Sequence, residues 1–514
     1  MSRFFNTMGP CRSDKHYMLL AIDRCRAILP LIDQEAYFIL HAARQSGKTT
    51  LLKSLADALN EGGRYHALYC SLEQLRMVQR IEEGIPGIIR ELEIQSQIVP
   101  GFPPDLSIPT SGQPLNDLRE ALSFLCKKST KPLIVLWDEV DCLRNDLMLS
   151  FLSQIRNGYI NRGQLPFPHA MALVGMRNIR DYQSQIRSDR ETLGSASPFN
   201  IVARSLTLSN FTLEEVRGLY AQHTTETGQR FEAGVIERVQ ERTGGQPWLV
   251  NAVAREAIQE ILAFDMSKPV TVLMVEEAIQ NIILRRDTHI DSLLERLKEP
   301  RVRRIMEPVI LGDEEGFEFT DDDYRYCLDL GLIKEEMKKV VPANPIYAEV
   351  MLRTLSYSTQ RFMESSSFPW YKIESGLDMN RLLRGFQQFW QENAEMWVER
   401  YDYKEAAPHL ILMAFLQRVI NGGGTILREF ALGSGRLDLL VEFEGKRYPV
   451  EVKLYYGPKT REEAKEQLAR YLDRVGEPEG WVVIFDRKSG KSAEEKIYWN
   501  QIEVEGKKLN FVGC

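Results

Sequence analysis

The sequence predicts a multidomain α/β chain, and three observations carry that expectation. Short apolar runs alternate with longer amphipathic stretches from Tyr37 to Leu208. Helical periodicity takes over from Asn210 to about Leu284, and a second set of apolar strands closes the chain beyond a polar, serine-bearing stretch at Ser356–Lys372. Length agrees, since 514 residues at roughly 100 to 200 per domain make several folded units rather than one.

The first set of runs is AYFIL, YHALYCSL, PLIVLWDEV, HAMALVGMRN and IVARSLTL. Continuously apolar strands separated by helices imply a parallel sheet covered on both faces. Thr212-Leu213-Glu214-Glu215 has the pattern of a capped helix start, and Gly244-Gly245 interrupts the helical region before Pro247. A helix, the helix DDDYRYCLDLGLI and a hairpin-like MKKVV segment then follow in the order that suits a winged helix.

Net charge is −7 with a pI near 5.8, so there is no global basic field for nucleic acid and any such contact has to come from a local patch. Hydrophobic residues at 44% and charged residues at 27% are globular values, which exclude a fibrous or mainly disordered chain. Cys11, Cys25, Cys70, Cys126, Cys142, Cys327 and Cys514 are odd in number and never form a CxxC pair. Such spacing speaks for a reducing compartment and against a zinc ribbon or a disulfide scaffold. The segment MSRFFNTMGPCRSDKH lacks the apolar stretch of a signal peptide, and no run of about 18 apolar residues occurs. A cytoplasmic chain with no membrane partner is expected.

Strand AYFIL leads into His41-Ala42-Ala43-Arg44-Gln45-Ser46-Gly47-Lys48-Thr49-Thr50 and then the amphipathic LLKSLADALN. Strand, loop, GK[ST] and helix in that order is the context a phosphate-binding loop requires. Arg44, Gln45, Ser46, Gly47 and Thr50 would frame the β and γ phosphates, with backbone N–H groups at the helix start, Lys48 as a point charge and Thr49 Oγ1 as a Mg²⁺ ligand. The first glycine of the full motif is Ala42 here, a departure that needs ordinary backbone geometry at that position. Some ninety residues on, Leu133–Trp137 is an apolar strand ending in Asp138-Glu139. Asp138 would hold Mg²⁺ and Glu139 would polarise the attacking water. These halves together predict ATP binding, with hydrolysis or a slow switch both open. Arg177, with Asn178, sits where a residue reading the γ phosphate would lie at the carboxyl edge of the sheet, or belongs to a solvated loop. Gly245-Gln246-Pro247 resembles the GxP element with which STAND-type ATPases touch their nucleotide, which would place Pro247 at the site; otherwise Pro247 only starts a helix.

A second constellation lies near the C-terminus. Arg436–Phe443 and Lys446–Leu454 are strands meeting at Glu444-Gly445, and a two-residue turn there sets Asp438 opposite Glu451, about 5 Å apart at Cβ. Lys453 shares their face, while Val450, Val452 and Leu454 point with Leu437, Leu439 and Val441 into the core. Asp438 and Glu451 as Mg²⁺ ligands and Lys453 beside the nucleophile would serve phosphodiester hydrolysis. Gln467, one helical turn before Tyr471, and Arg428-Glu429 could complete the site. An exposed hairpin with an ordinary Glu/Lys pair is the bland alternative.

Together these residues resemble a family of prokaryotic proteins that join an AAA-like, STAND-related, archaeal-type ATPase to a PD-(D/E)xK nuclease-like domain. RFFNTMGP, RQSGKTT, WDEVDCL, GGQPWLVNA, ANPIYAEV, QRVINGGG, GSGRLDLL, PVEVK and VVIFDR carry the likeness. The resemblance implies a P-loop NTPase core at 1–208, a helical lid at 209–285, a winged-helix-like segment at 286–360, a linker at 361–374 and a restriction-endonuclease-like α/β domain at 375–514. It also implies an ATP-gated, Mg²⁺-dependent nuclease acting on nucleic acid, DNA foremost, in genome defence or mobile-element biology. A nucleotide-dependent homo-oligomer is a further expectation. Against the enzyme stands a regulatory switch whose nuclease fold is a non-catalytic DNA- or partner-binding module. A winged-helix DNA adaptor is disfavoured by Asp321-Asp322-Asp323, which would meet phosphate with like charge.

Overall fold

The computed structural model describes residues 3–175, 204–311, 321–336, 339–355, 371–373, 376–398, 408, 411–413, 415–416, 424–432, 435–455, 457, 459–486 and 496–514. Along 424–425, 427–432 and 435–438 the description is of the backbone only. The chain forms two compact units, one of Met1–His289 with Thr320–Ile333, the other of Ile290–Phe319 with Lys334–Cys514.

In the N-terminal unit β1 (Tyr37–His41), β2 (His66–Ser71), β3 (Leu133–Asp138), β4 (Ala170–Gly175) and β5 (Arg204–Thr207) form a parallel sheet in the order β2-β3-β4-β1-β5. Alternation of side chains sends odd and even residues to opposite faces, and both faces are apolar. Tyr37, Ile39, Leu68, Val135, Trp137 and Leu173 pack on one side against α2 (Ile81–Ile98), α3 (Pro114–Lys128) and α4 (Asn145–Ile160). Phe38, Leu40, Ala67, Ile134, Leu136 and Val174 pack on the other, against Leu51, Leu52, Leu55 and Leu59 of α1 (Lys48–Glu61). A sheet covered on both faces explains why its strands read as unbroken apolar runs. Because β4 lies between β1 and β3, the loop after β1 and the acids ending β3 flank the carboxyl end of β4. Arg177 and Asn178 lie just beyond it, outside the described residues.

The helical region follows as α5 (Leu213–Thr227), α6 (Val235–Thr243), α7 (Pro247–Arg255) and α8 (Val272–Arg285). Thr212 and Glu215 close a reciprocal capping box on α5. Gly244 and Gly245 both take positive φ between α6 and α7, and a Cβ on Gly245 would lie 1.9 Å from Phe211 O, so only glycine fits there. Beyond α9 (Thr288–Leu297) and α10 (Pro300–Leu311), α11 (Asp321–Asp329) belongs to the N-terminal unit, so the winged-helix-like span is shared between the two units. The expected hairpin is present as β6 (Ile333–Glu336) and β7 (Lys339–Pro342), followed by α12 (Pro345–Leu355).

The C-terminal unit holds a mixed sheet of β8 (Gly424–Leu432), β9 (Gly435–Phe443), β10 (Lys446–Leu454), β11 (Glu479–Phe485), β12 (Tyr498–Val504) and β13 (Lys507–Gly513), ordered β8-β9-β10-β11-β13-β12. Neighbours β8/β9, β9/β10 and β12/β13 are antiparallel, and β10/β11 and β11/β13 parallel. Leu440, Val482, Ile484, Leu509 and Phe511 pack on Ala464, Leu468, Tyr471 and Leu472 of α14 (Lys459–Val475). On the opposite face Phe485 meets Phe386 and Trp390 of α13 (Met379–Val398), and Trp481 Nε1 donates to Asn380 Oδ1 at 2.7 Å.

Candidate functional site

Backbone conformation shapes the loop between β1 and α1. Gln45 takes φ 58° and Gly47 φ 86°, both left-handed, and Gly47 caps α1 without a side-chain bond. The first N–H groups of α1 therefore face out of the helix toward whatever the loop encloses. Ser46 Oγ is buried among the loop atoms with no hydrogen-bond partner, an orphan polar atom of the kind a phosphate oxygen would satisfy. Lys48 is only 7% exposed; its ammonium donates to Ala42 O at 2.7 Å and Ala43 O at 3.0 Å. Burial lowers its pKa, opposed by the charges of Glu139, Asp141 and Asp138. Departure from glycine at Ala42 leaves the loop closed, and its carbonyl is one of the two that Lys48 holds.

The strand end completes the arrangement. Thr49 Oγ1 donates to Asp138 Oδ2 at 2.7 Å, so residues 89 positions apart meet in one polar pocket. Tyr69 Oη donates to the same oxygen at 3.0 Å, and the Glu139 N–H to Asp138 Oδ1 at 3.0 Å. Glu139 turns left-handed at φ 57°. Burial, then Asp141 and Asp138, raise its carboxyl pKa, and Arg76 Nη2 approaches Glu139 Oε2 at 3.5 Å. A loop hydroxyl beside a strand carboxylate fits a hard divalent cation, and an orphan hydroxyl at a helix N-terminus fits a phosphate. The residues present thus suit a nucleotide with its metal.

Other expected members stand apart from this pocket. Thr50 Oγ1 accepts from the Cys11 N–H at 2.9 Å rather than facing the loop interior. Arg44 is exposed, and its charge reaches Lys48, adding to the lowering of that ammonium's pKa. Pro247 opens α7, and the polar contact to the loop comes from its neighbour, Gln246 Nε2 donating to Gln45 O at 3.2 Å. Sequence reading missed Tyr69, Arg76 and the segment Phe4–Tyr17, whose Thr7 O accepts from Trp248 Nε1 at 2.9 Å. The last carried a signal, since RFFNTMGP is among the segments that carry the family likeness, without a site role attached to it.

In the C-terminal unit the described β9/β10 pairs run from Leu439–Val450 to Phe443–Lys446, around a turn with Glu444 at φ 50° and Gly445 at φ 79°. One step further this register sets Asp438 opposite Glu451; the Asp438 side chain, like those of Arg428 and Glu429, lies outside the described residues. Glu451 is fully buried and Lys453 Nζ sits 2.7 Å from its Oε1. Both pair in parallel with Val482 and Ile484, residues of the face that α14 covers. The carboxylate therefore points not to an open side of the hairpin but beneath a helix. That helix carries Gln467, whose Nε2 donates to Tyr471 Oη at 3.3 Å. Among the described residues no cluster of three or more metal-ligating His, Cys, Asp or Glu occurs, and no helix is long and apolar enough to cross a membrane.

Solved structures similar to the chain include a Walker-type ATPase of Pyrococcus abyssi at 16% identity and TM-score 0.47, covering 68% of this chain and 99% of that one. Cdc6p from Pyrobaculum aerophilum matches at 11% identity and TM-score 0.37 over 68% and 97%. The RuvB Holliday junction branch migration motor of Thermotoga maritima matches at 13% and 0.32 over 63% and 90%. No curated protein matches the sequence. Residues 26–353, from before β1 through the loop, the paired acids and the helical region to α12, match the AAA-like domain, and the chain belongs to that family.

Proposed function

We propose that the N-terminal unit binds and hydrolyses ATP with Mg²⁺, and that this cycle controls a Mg²⁺-dependent nuclease in the C-terminal unit acting on nucleic acid, DNA foremost. The contact of Thr49 Oγ1 with Asp138 Oδ2 at 2.7 Å carries the reading, because it joins the two halves of a nucleotide site through the two groups that would hold the cation. Magnesium there would neutralise phosphate charge during in-line transfer. Lys48 leaves the Ala42 and Ala43 carbonyls for the phosphates, Thr49 and Asp138 hold the cation's side of the pocket, and Glu139, with its raised pKa, orients and deprotonates water. Arg177 reads the γ phosphate in this scheme. In the C-terminal unit Asp438 and Glu451 would ligate the metal, with Lys453 beside the nucleophile and Gln467 on the covering helix. A cytoplasmic chain that assembles with nucleotide accords with the sequence.

A specific observation favours a second reading. Glu451 is fully buried, so the C-terminal fold could be a non-catalytic binding module under a STAND-like ATPase switch. Incubating the full chain with Mg²⁺ or Mn²⁺, with and without ATP, against supercoiled and linear DNA and RNA separates the two. Metal-dependent cleavage lost in Asp438→Ala supports the nuclease. ATP turnover with no cleavage under any condition supports the switch, and absence of both refutes the proposal.

A further inference from the structure

Gln45 is held from outside its own loop at two points. Gln246 Nε2 donates to Gln45 O at 3.2 Å, and His289 Nδ1 bonds Gln45 Oε1. Both partners are built rather than incidental. Gln246 is 3% exposed, and its Oε1 accepts from the Leu249 N–H at 2.7 Å, capping α7. His289 is 5% exposed and stacks on Trp248 with ring centroids 4.9 Å apart and planes inclined by 18°, while Trp248 is itself pinned to Thr7 O. Burial keeps the imidazole neutral, so one ring nitrogen is free to donate to the amide oxygen of Gln45. Gln45 is also the non-glycine loop residue with left-handed backbone, a conformation that persists only where surroundings over-determine it.

We infer that Gln246, at the start of α7, and His289, in α9, form a latch onto the phosphate loop, positioning Gln45 so that the N–H groups of Ser46, Gly47 and Lys48 converge on a polyphosphate. The inference rests on the ATP reading and deepens it. It makes phosphate affinity depend on docking of α7, through residues that touch the loop rather than the ligand. A preformed nest of N–H groups binds anions without first ordering itself, so releasing the latch weakens binding of every ligand with a β phosphate.

Gln246→Glu is the sharpest test, because a carboxylate still accepts from Leu249 N and keeps the helix cap but cannot donate to Gln45 O. At His289, Phe keeps the stack on Trp248 without the hydrogen bond, whereas Asn restores a donor near Nδ1. Calorimetry on the full-length chain should show ADP and ATP affinity falling together by about tenfold in Gln246→Glu and in His289→Phe, with His289→Asn closer to wild type. Thermal melting within a few degrees of wild type would confirm that the variants are folded. In nucleotide-free protein, amide hydrogen exchange of the peptide spanning Gln45 to Lys48 should accelerate in Gln246→Glu. Wild-type affinity together with wild-type exchange in that variant overturns the latch alone, and a wild-type chain that binds neither ADP nor ATP overturns the ATP reading with it.

Discussion

The two candidate sites differ in how their charges are housed. In the N-terminal unit the Lys48 ammonium is satisfied by two carbonyls of its own loop, and Asp138 Oδ2 by the hydroxyls of Thr49 and Tyr69. Every one of those bonds can be exchanged for a bond to ligand without stranding a charge. In the C-terminal unit Glu451 is sealed beneath α14 with the Lys453 ammonium 2.7 Å away. That pair contributes to the unit's stability as well as to any chemistry, so disturbing it leaves a buried charge uncompensated. Substitutions at the first site should alter function with little effect on stability, and substitutions at the second should alter both.

The largest effects test independence. Lys48→Ala should abolish ATP binding by calorimetry while leaving the melting temperature within a few degrees, because the residue serves a loop. Asp438→Ala should abolish any metal-dependent cleavage yet leave ATP turnover within about twofold, as the two sites belong to different units. Loss of ATP turnover in Asp438→Ala would break the comparison. Next in size is Glu139→Gln, expected to slow ATP hydrolysis by about a thousandfold with affinity preserved, since an amide cannot take the proton. Equal turnover by wild type and this variant removes Glu139 from the mechanism.

A smaller effect sharpens the contrast in housing. Glu451→Gln should destabilise the C-terminal unit by about 2 kcal/mol, less than a fully buried pair would lose because Lys453 keeps access to water. Urea unfolding of the full chain, followed through that unit, measures it. A change within about 0.5 kcal/mol would mean that Glu451 is dispensable to the fold.

The same contrast governs what could be read in advance. The loop was legible because its parts are contiguous: strand, GKTT and amphipathic helix each have local signatures, and β3 announces itself as an apolar run ending in two acids. The hairpin register was legible because Glu444-Gly445 admits one tight turn, and the observed pairs obey it. Burial of Glu451 was not, since a period-two pattern assigns faces without saying what covers them, and the covering helix comes only after β10. Strand β12 was missed because all seven of its residues are partly or fully exposed, as befits an edge. Tyr69 and His289 reach the site through tertiary contacts between distant segments, for which no spacing in the sequence is diagnostic, whereas Gly245-Gln246-Pro247 stands out in the sequence and the polar contact falls on Gln246 rather than Pro247.

The last prediction turns on histidines, six of which, His16, His41, His66, His169, His223 and His289, fall in the N-terminal unit. Burial pushes the His289 pKa down to about 3, with Arg44 adding to the effect, and burial also lowers those of His16, His66 and His223. An unfolded histidine titrates near 6.5. Between that value and about 3 the unfolded chain therefore binds more protons than the folded one at His289, so stability is fully present above neutral pH and declines as pH falls. For His289 alone the slope approaches about 1.4 kcal/mol per pH unit once pH is well below 6.5. Thermal melts from pH 7.5 to 5 should show the N-terminal unit losing stability faster than the C-terminal one, and His289→Asn should flatten the N-terminal slope by up to about one proton. Parallel slopes for wild type and His289→Asn would mean that the imidazole is accessible to protonation in the folded chain, and its grip on Gln45 would then weaken on acidification instead of holding until the unit melts.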